Sequence, residues 1–566
     1  MAGQFVLPSQ LNPYYTTKVI RVRLVDTYAI SETKKIQGVK SIDCSFQDEE
    51  VRFAEKVSRR SSKFVTMAET LCFEDEVPAK LTGQVIICSI IAAFAGLVFG
   101  YDIGISGGVT SMNEFVEKFF PDVYAKKHRI EEDNYCKYDD QMLQLFTSSV
   151  YLAAVIGSFF ASHCCKRYGR KLTIQLGCVF FIIGLVLKTT AVNLVMLISG
   201  RFFVGFGVGF GNQAVPLFIS EIAPANRRGF LNVLFQFLIT IGSLLANIVN
   251  LLSSKYVGSN GWRVSFGIAA IPAIFLGLGS LMVVDTPTSL IQRGKNEEGL
   301  KALKKIRGVE NVGKEYEDIL RAKRVKTPFR NLLMKRSSWP QLFCGTILQI
   351  FLELTGINVI MFYAPVLFQT MGLGANASLL STVIIGVVNS VSTVVAIFGA
   401  DYFGRRALLI QGALQMLVAQ GVVGGILAVY LKATNTIPKF AAVIVVALSC
   451  VFVMGFAWSW GPLGWLIASE IYPLETRTAG FFIAVSANMI FTFIVAQAFL
   501  TMLCTMKSGI FFMFASFVFV MGLFVVFLLP ETKGIPIDEM KERVWKKHWL
   551  WKRCFDEKED ALCSAD

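Results

Sequence analysis

About twelve apolar runs, each close to the roughly 20 residues that a helix needs to cross a hydrocarbon core, dominate this sequence. They fall near 82–106, 143–164, 172–191, 194–216, 230–252, 264–284, 340–370, 378–400, 408–431, 438–468, 478–504 and 509–529. Backbone groups in lipid must find partners within their own segment, so continuous runs of this length predict helices. A closed barrel would need short alternating segments instead. Hydrophobic residues make up 54% of the chain and charged residues 17%, which leaves little material for a soluble domain.

The charge lies between the runs. The formal net charge is +14, and basic residues gather at Lys166–Lys171 (KRYGRK), at Arg227 and Arg228, at Gly404–Arg406 (GRR), at Arg477, and through the long middle loop. With twelve spans all of these fall on one side, which the positive-inside rule makes cytoplasmic, with both termini inside. The first loop, 107–142, carries slightly more acid than base and is expected outside. Basic charge that follows topology gives no basic domain for nucleic acid. The twelve cysteines, with Cys164 and Cys165 adjacent, show no metal-ligand spacing, and no metal or cofactor is expected. No charged-then-apolar signal segment opens the chain, so the first run would serve as its own signal.

The two halves of the sequence repeat. KRYGRK matches DYFGRR, and SEIAPANRR (Ser220–Arg228) matches SEIYPLETR (Ser469–Arg477). VDTPTSL after the sixth run matches LPETKG after the twelfth. Leu300, Leu303 and Ile306 in the middle loop share one helical face, which predicts short amphipathic helices over 285–339. The expected organisation is a tail to residue 80, a six-helix half over 81–284, this linker, a second half over 340–529 and a tail over 530–566. Duplicated bundles of this kind place a substrate near the midplane between halves.

One carboxylate, Asp102, stands inside the first run, in LVFGYDIGISGGV. An intramembrane charge costs about 2.5–3.5 kcal/mol on insertion scales, so it needs a reason. It is either a helix-end aspartate in a GYD turn or a proton site. Arg201, in LISGRFFVGFG of the fourth run, is the expected counter-ion. The three histidines, His128, His163 and His548, all fall at or beyond the run ends. Among intramembrane amides, helix–helix glue and ligand contact are both open.

The motifs GYDIGISGGVTSM, GRFFVGFGVGFGNQAVPLFISEIAP, LTGINVIMFYAPVLF, GFAWSWGPLGWLIASEIYPLETR, VSANMIFTFIVAQAFLTMLC and LPETKGIPIDEM together resemble the plant sugar transport proteins. These are monosaccharide/proton symporters among the sugar porters of the major facilitator superfamily. The likeness runs from about residue 67 to 550. It implies an all-α membrane protein with the superfamily fold: twelve helices in two halves, joined by a cytoplasmic helical linker. It implies proton-coupled uptake of a hexose such as glucose or galactose across the plasma membrane, by a carrier that works as a monomer and is not an enzyme. A facilitative sugar or polyol uniporter and a non-transporting sugar sensor are the alternatives.

Residue by residue, the resemblance makes Asp102 the proton acceptor and Arg201 its partner. It assigns sugar contact to Gln236, Asn358, Asn389, Trp465, Asn488 and Thr492, and offers Phe99 as a packing surface, although plain core packing explains a phenylalanine equally well in a chain with 48 of them. Amides suit hydroxyl-rich ligands because each donates and accepts. Where the family carries two glutamines before LTGIN, this chain has Leu352 and Glu353. Glu353 either accepts a bond as glutamine would or titrates, and Gln349, one turn earlier, is a displaced substitute for Leu352. Arg170, Glu221, Arg228, Asp285, Arg405, Glu470, Arg477 and Glu531 match a cytoplasmic salt-bridge latch, the other reading being solvated loop charges. Spacing alone leaves Cys136 and Cys504 as free thiols; the resemblance pairs them in a disulfide that ties the outer lid loop to the second half. Residues 1–66 have no counterpart in the family pattern and are expected to be a disordered tail or to precede a start at Met67.

Overall fold

The computed structural model describes residues 81–128, 135–224, 227–309, 312–323, 328–370, 374–434, 438–535 and 540–555. The expectations for residues 1–66, and for a start at Met67, lie outside them. Among the described residues every regular element is helical, and twelve helical segments are long and apolar enough to cross a membrane. They are Gly83–Val109, Gln141–Arg167, Arg170–Thr189, Leu194–Ile222, Arg228–Tyr256, Gly258–Met282, Arg336–Gln369, Ala377–Phe403, Arg405–Tyr430, Phe440–Glu470, Arg477–Met506 and Gly509–Phe527, here spans one to twelve. This is a multi-pass membrane protein, and each expected run corresponds to one span.

Polar side chains start several spans by supplying the acceptor that a first helical turn lacks. Thr82, Asp140 and Asn193 accept from the backbone N–H of Val85, Leu143 and Met196 at 3.4, 2.9 and 2.8 Å. Large apolar side chains such as Ile87, Phe159, Leu278, Phe398 and Val443 stay exposed on the outer surface, where lipid tails cover them.

Small residues let the helices close up. A Cβ added at Gly100 of span one would stand 1.9 Å from the carbonyl oxygen of Ile239, so only glycine permits this approach to span five. Spans one and five, two and four, and three and four pack together in the first half, and spans seven and eleven, eight and ten, and nine and ten pack equivalently in the second. The halves meet where span two packs on span eleven and span five on span eight.

Three spans are broken, which hydropathy did not reveal. Span six divides into Gly261–Ile268 and Ala270–Met282. Span seven divides into Trp339–Leu354 and Ile357–Thr370 around Gly356, whose φ of 84° is open to glycine at no steric cost. Span ten divides into Lys439–Ala457 and Trp460–Glu470. The break in span seven falls between Glu353 and Asn358 and turns both toward one place.

Between the halves run Pro287–Gln292, Asn296–Arg307, Gly313–Lys323 and Pro328–Met334. Leu303 packs with Ile291, Val312 and Ile319, with Leu300 against them, while Ile306 faces the main core. The first loop forms Asn113–Phe119 and Pro121–His128 over the opposite end of the first half.

Candidate functional site

The first polar centre lies inside the first half. Asp102 sits in the continuous helix of span one and is 3% exposed. Arg201 of span four donates through Nη1 to Asp102 Oδ2 at 3.1 Å and to Ser106 Oγ at 2.7 Å. Its remaining donors go to the carbonyls of Phe146 and Thr147, each at 3.0 Å, and its guanidinium lies over the Phe146 ring. The expected Asp102–Arg201 pair is therefore present and its arginine is held on all sides.

A second cation, absent from the sequence reading, completes this centre. Lys188, in the last turn of span three, is fully buried and its ammonium donates to Asp102 Oδ1. The signal was available: a lysine near the end of the third apolar run raises the same question as an aspartate within the first. Phe266 and Phe181 flank the ammonium, with ring centroids at 4.9 and 5.9 Å.

The second centre lies in the second half. Glu353 ends the first helix of span seven, and its Oε1 accepts from Asn488 Nδ2 of span eleven at 2.7 Å. Its Oε2 accepts from Asn358 Nδ2, beyond the break. Thr492 lies one turn from Asn488 and donates to that residue's carbonyl at 2.8 Å. No cation is paired with Glu353 in any ion pair among the described residues. Tyr151 of span two lies within electrostatic range of Asp102, Arg201 and Glu353, and so stands between the centres.

Around this cluster, Trp465 is 5% exposed and packs 6.0 Å from Phe235, the neighbour of buried Gln236, across the two halves. Leu352 reaches toward Gly464, where an added Cβ would meet Leu352 Cδ1 at 2.4 Å. Gln349 donates to the Gly464 carbonyl at 2.9 Å, and its Oε1 has no hydrogen-bond partner among the described residues. The same holds for Oδ1 of buried Asn389. Phe99 lines a small cavity within the first half with Phe181, Cys178, Asn212, Ala273 and Leu276.

At the linker end the charged repeats form two matching sets. Arg170 pairs with Glu221 at 2.8 Å and donates to the Cys165 carbonyl, while Asp285 accepts from the Arg170 backbone N–H and pairs with Arg293. Arg405 pairs with Glu470 at 3.4 Å and donates to the Ala400 carbonyl, while Glu531 accepts from the Arg405 backbone N–H at 3.0 Å. Each set lies within its own half. Arg477 donates to the Ser469 carbonyl, and Arg228 lies within electrostatic range of Glu470 in the other half. Hydrogen bonds cross the halves from Asn232 to Ser469 Oγ at 2.9 Å and from the Phe230 N–H to Asp401 Oδ2 at 3.2 Å. Asp401, not singled out in the sequence, also pairs with Arg405 at 3.1 Å.

At the other end Cys136 and Cys504 form a disulfide with Cα atoms 4.7 Å apart. Beside it Thr501 donates to Asp139 at 2.7 Å and Tyr138 to Gln369 at 2.6 Å. Burial pushes the Lys127 ammonium below the usual lysine range, against the opposing pull of Glu114. Phe115 of the loop packs against Phe146, Trp262 and Phe266, with centroids at 5.3, 5.9 and 6.4 Å. The loop thus rests on the rings that cover Arg201 and Lys188.

These features coincide with a known group. A family model described as "Sugar (and other) transporter" matches residues 88–544. Sugar transport protein 6 of Arabidopsis thaliana is 58% identical over 479 residues, covering 84% of this chain and 94% of that one. Sugar transport protein MST4 of Oryza sativa subsp. japonica is 55% identical over 489 residues, covering 85% and 94%. Among solved structures, the proton:xylose symporter XylE bound to 6-bromo-6-deoxy-D-glucose superposes with a TM-score of 0.71 at 27% identity, over 82% of this chain and 99% of that one. With twelve spans, matched sets of helix-end charges and polar centres buried in each half, the chain belongs to the sugar (and other) transporter family.

Proposed function

We propose that this protein carries a monosaccharide, a hexose such as glucose or galactose, together with a proton across the plasma membrane by alternating access. The observation that carries the reading is the pair of buried centres on opposite halves. One is ionic and contains Asp102 and Arg201. The other is an amide and carboxylate cluster of Glu353, Asn358 and Asn488. Membership of a family with plant sugar transport proteins, and likeness to a proton:xylose symporter, support both cargoes.

Sugar recognition rests on groups that the fold leaves ready. The acceptors Gln349 Oε1 and Asn389 Oδ1 suit sugar hydroxyl donors, and unpartnered buried acceptors are costly until filled. Trp465 offers an apolar face to a sugar ring's C–H groups. Gln236 and Thr492 add donors and acceptors from either half. Phe99 is better explained as packing within the first half.

The two halves rock about this site. The ion pairs Arg170–Glu221 and Arg405–Glu470 stiffen each half at the linker end, which the basic loops assign to the cytoplasm with both termini. The crossing bonds Asn232–Ser469 and Phe230–Asp401 are then the ones that must open toward the cytoplasm. The disulfide-tied loop covers the ionic centre from outside. Both halves and both polar centres lie in one chain, which supports a carrier that functions as a monomer. Labelled-hexose uptake in hexose-transport-deficient cells, at acid and neutral pH with and without an uncoupler, tests the reading.

A further inference from the structure

We propose that the Glu353 carboxylate selects for hexoses that carry an amine, so that an amino sugar such as glucosamine is held more tightly than glucose at the same site. This rests on the proton-coupled sugar reading above and names a substrate class for its second-half centre.

Glu353 is 3% exposed, at the end of the first helix of span seven. Both of its oxygens accept from amides, Oε1 from Asn488 at 2.7 Å and Oε2 from Asn358. Amide N–H groups fill lone pairs without supplying a positive charge, and a buried charge is costly unless it is paired. Among the described residues no cation forms an ion pair with Glu353. The two cations buried beside the ionic centre, Lys188 and Arg201, both bond Asp102 instead. A ligand that brings its own positive charge completes what the fold leaves open.

The other polar groups assigned to the sugar also ask for donors. Gln349 and Asn389 are each 1% exposed, and Gln349 Oε1 and Asn389 Oδ1 accept from no described residue. The amide of Gln349 already donates to the Gly464 carbonyl at 2.9 Å, and those of Asn358 and Asn488 donate to Glu353. Leu352, next to Glu353, adds no polar side-chain atom. A carboxylate has about four lone-pair sites, and the two asparagines use two of them. An ammonium has three donors and no acceptor, so it fits such a set. A hydroxyl has one donor and brings lone pairs that compete for amides already bonded to Glu353 and Gly464.

The remainder of the sugar is met as a hexose would be. Trp465, 5% exposed, offers its ring to C–H groups, and its π face attracts an ammonium as well. No covalent bond changes on binding. An amine has a reference pKa of about 8 to 10 and a glutamate about 4.3, so where the two meet the proton rests on the sugar nitrogen and the contact is an ion pair. Asp102 keeps its own role in the first half, so one centre serves the proton and the other sorts the sugars. The rival arrangement keeps a proton on Glu353 beside a neutral sugar, and it gives an amino sugar no advantage.

The test is competition against labelled-glucose uptake in hexose-transport-deficient cells, at a mildly acid pH where a sugar amine is an ammonium. The competitors are unlabelled glucose, glucosamine, and the isomers of glucosamine aminated at carbon three or carbon six. In wild type at least one amino sugar should inhibit at a concentration about tenfold or more below that of glucose, the worth of a hydrogen bond to a charged group. Glu353→Gln should bring that ratio close to one, and Glu353→Asp, which keeps the charge, should retain part of the preference. Amino sugars that compete no better than glucose in wild type overturn the proposal, and so does a preference that survives Glu353→Gln. Uptake that is absent, or insensitive to an uncoupler, defeats the underlying transport reading instead. Titration calorimetry of the purified protein with the same sugars then reads the preference directly, and it serves equally if a variant does not reach the membrane: tighter binding of an amino sugar supports the proposal and equal or weaker binding overturns it.

Discussion

Glu353 of span seven accepts a hydrogen bond from Asn488 of span eleven at 2.7 Å. Its other oxygen accepts from Asn358, so the carboxylate ties the two helices that flank the break in span seven. An ionised carboxylate only accepts, whereas an amide also donates. Glu353→Gln should therefore change which asparagine atoms face the site. Combined with Leu352→Gln, it should lower the apparent KM for hexose by up to about tenfold, the worth of one added hydrogen bond. The variant moves a side chain off Gly464, so uptake kinetics should be read with surface expression. An unchanged or higher KM would mean that Leu352 and Glu353 suit a different ligand.

The disulfide end gives a second expectation. Cys136→Ala frees the loop from span eleven but leaves Phe115 packed on Phe146 and Trp262. Twelve packed spans do not depend on one surface link, so expression should hold while the apparent KM rises or the pH optimum shifts. Uptake measured across pH, in the variant and in reductant-treated wild type, checks this. Identical profiles would remove the loop from coupling.

The linker-end pairs should not be equal in cost. Among the described residues Glu221 is the one carboxylate paired with the Arg170 side chain, whereas Arg405 pairs with both Glu470 and Asp401. Breaking a buried pair strands a charge at about 3–5 kcal/mol. Glu221→Ala should therefore lower the thermal stability of the purified protein more than Glu470→Ala, because Asp401 still holds Arg405. The reverse order in a melting series would refute the role given to Asp401.

Packing of span one on span five offers a control pair. Gly100→Ala drives a methyl group into the Ile239 carbonyl and should abolish surface expression. Gly425→Ala meets nothing within 4 Å and should gain roughly 0.5–1 kcal/mol of helix stability. Fluorescence-detected size exclusion on both variants distinguishes these outcomes.

Much of the architecture was legible because lipid imposes a strong rule: each span is one apolar run near twenty residues long. The duplicated motifs likewise foretold matched helix-end sets. The breaks at Ala269, Gly356 and Ser459 were not legible, since hydropathy averages over a window and these points interrupt no apolar run. Glu353 stood out as a departure from a pattern, but its bonds to Asn358 and Asn488 depend on the kink that brings them together. Lys188 escaped because lysines are common near span ends, where most reach water; its burial depends on Phe266 and Asp102, which lie far away in sequence. Phe99, for which sugar contact and core packing were equally open in the sequence, lines a cavity of the first half.

The most direct test is accumulation of labelled glucose in hexose-transport-deficient cells, for wild type and Asp102→Asn, at acid and neutral pH with and without an uncoupler. The account predicts that wild type raises the internal sugar above the external level, faster at acid pH, and that the uncoupler and Asp102→Asn each abolish the excess. Sugar that only equilibrates, with no response to pH or uncoupler, would contradict it and mark a uniporter.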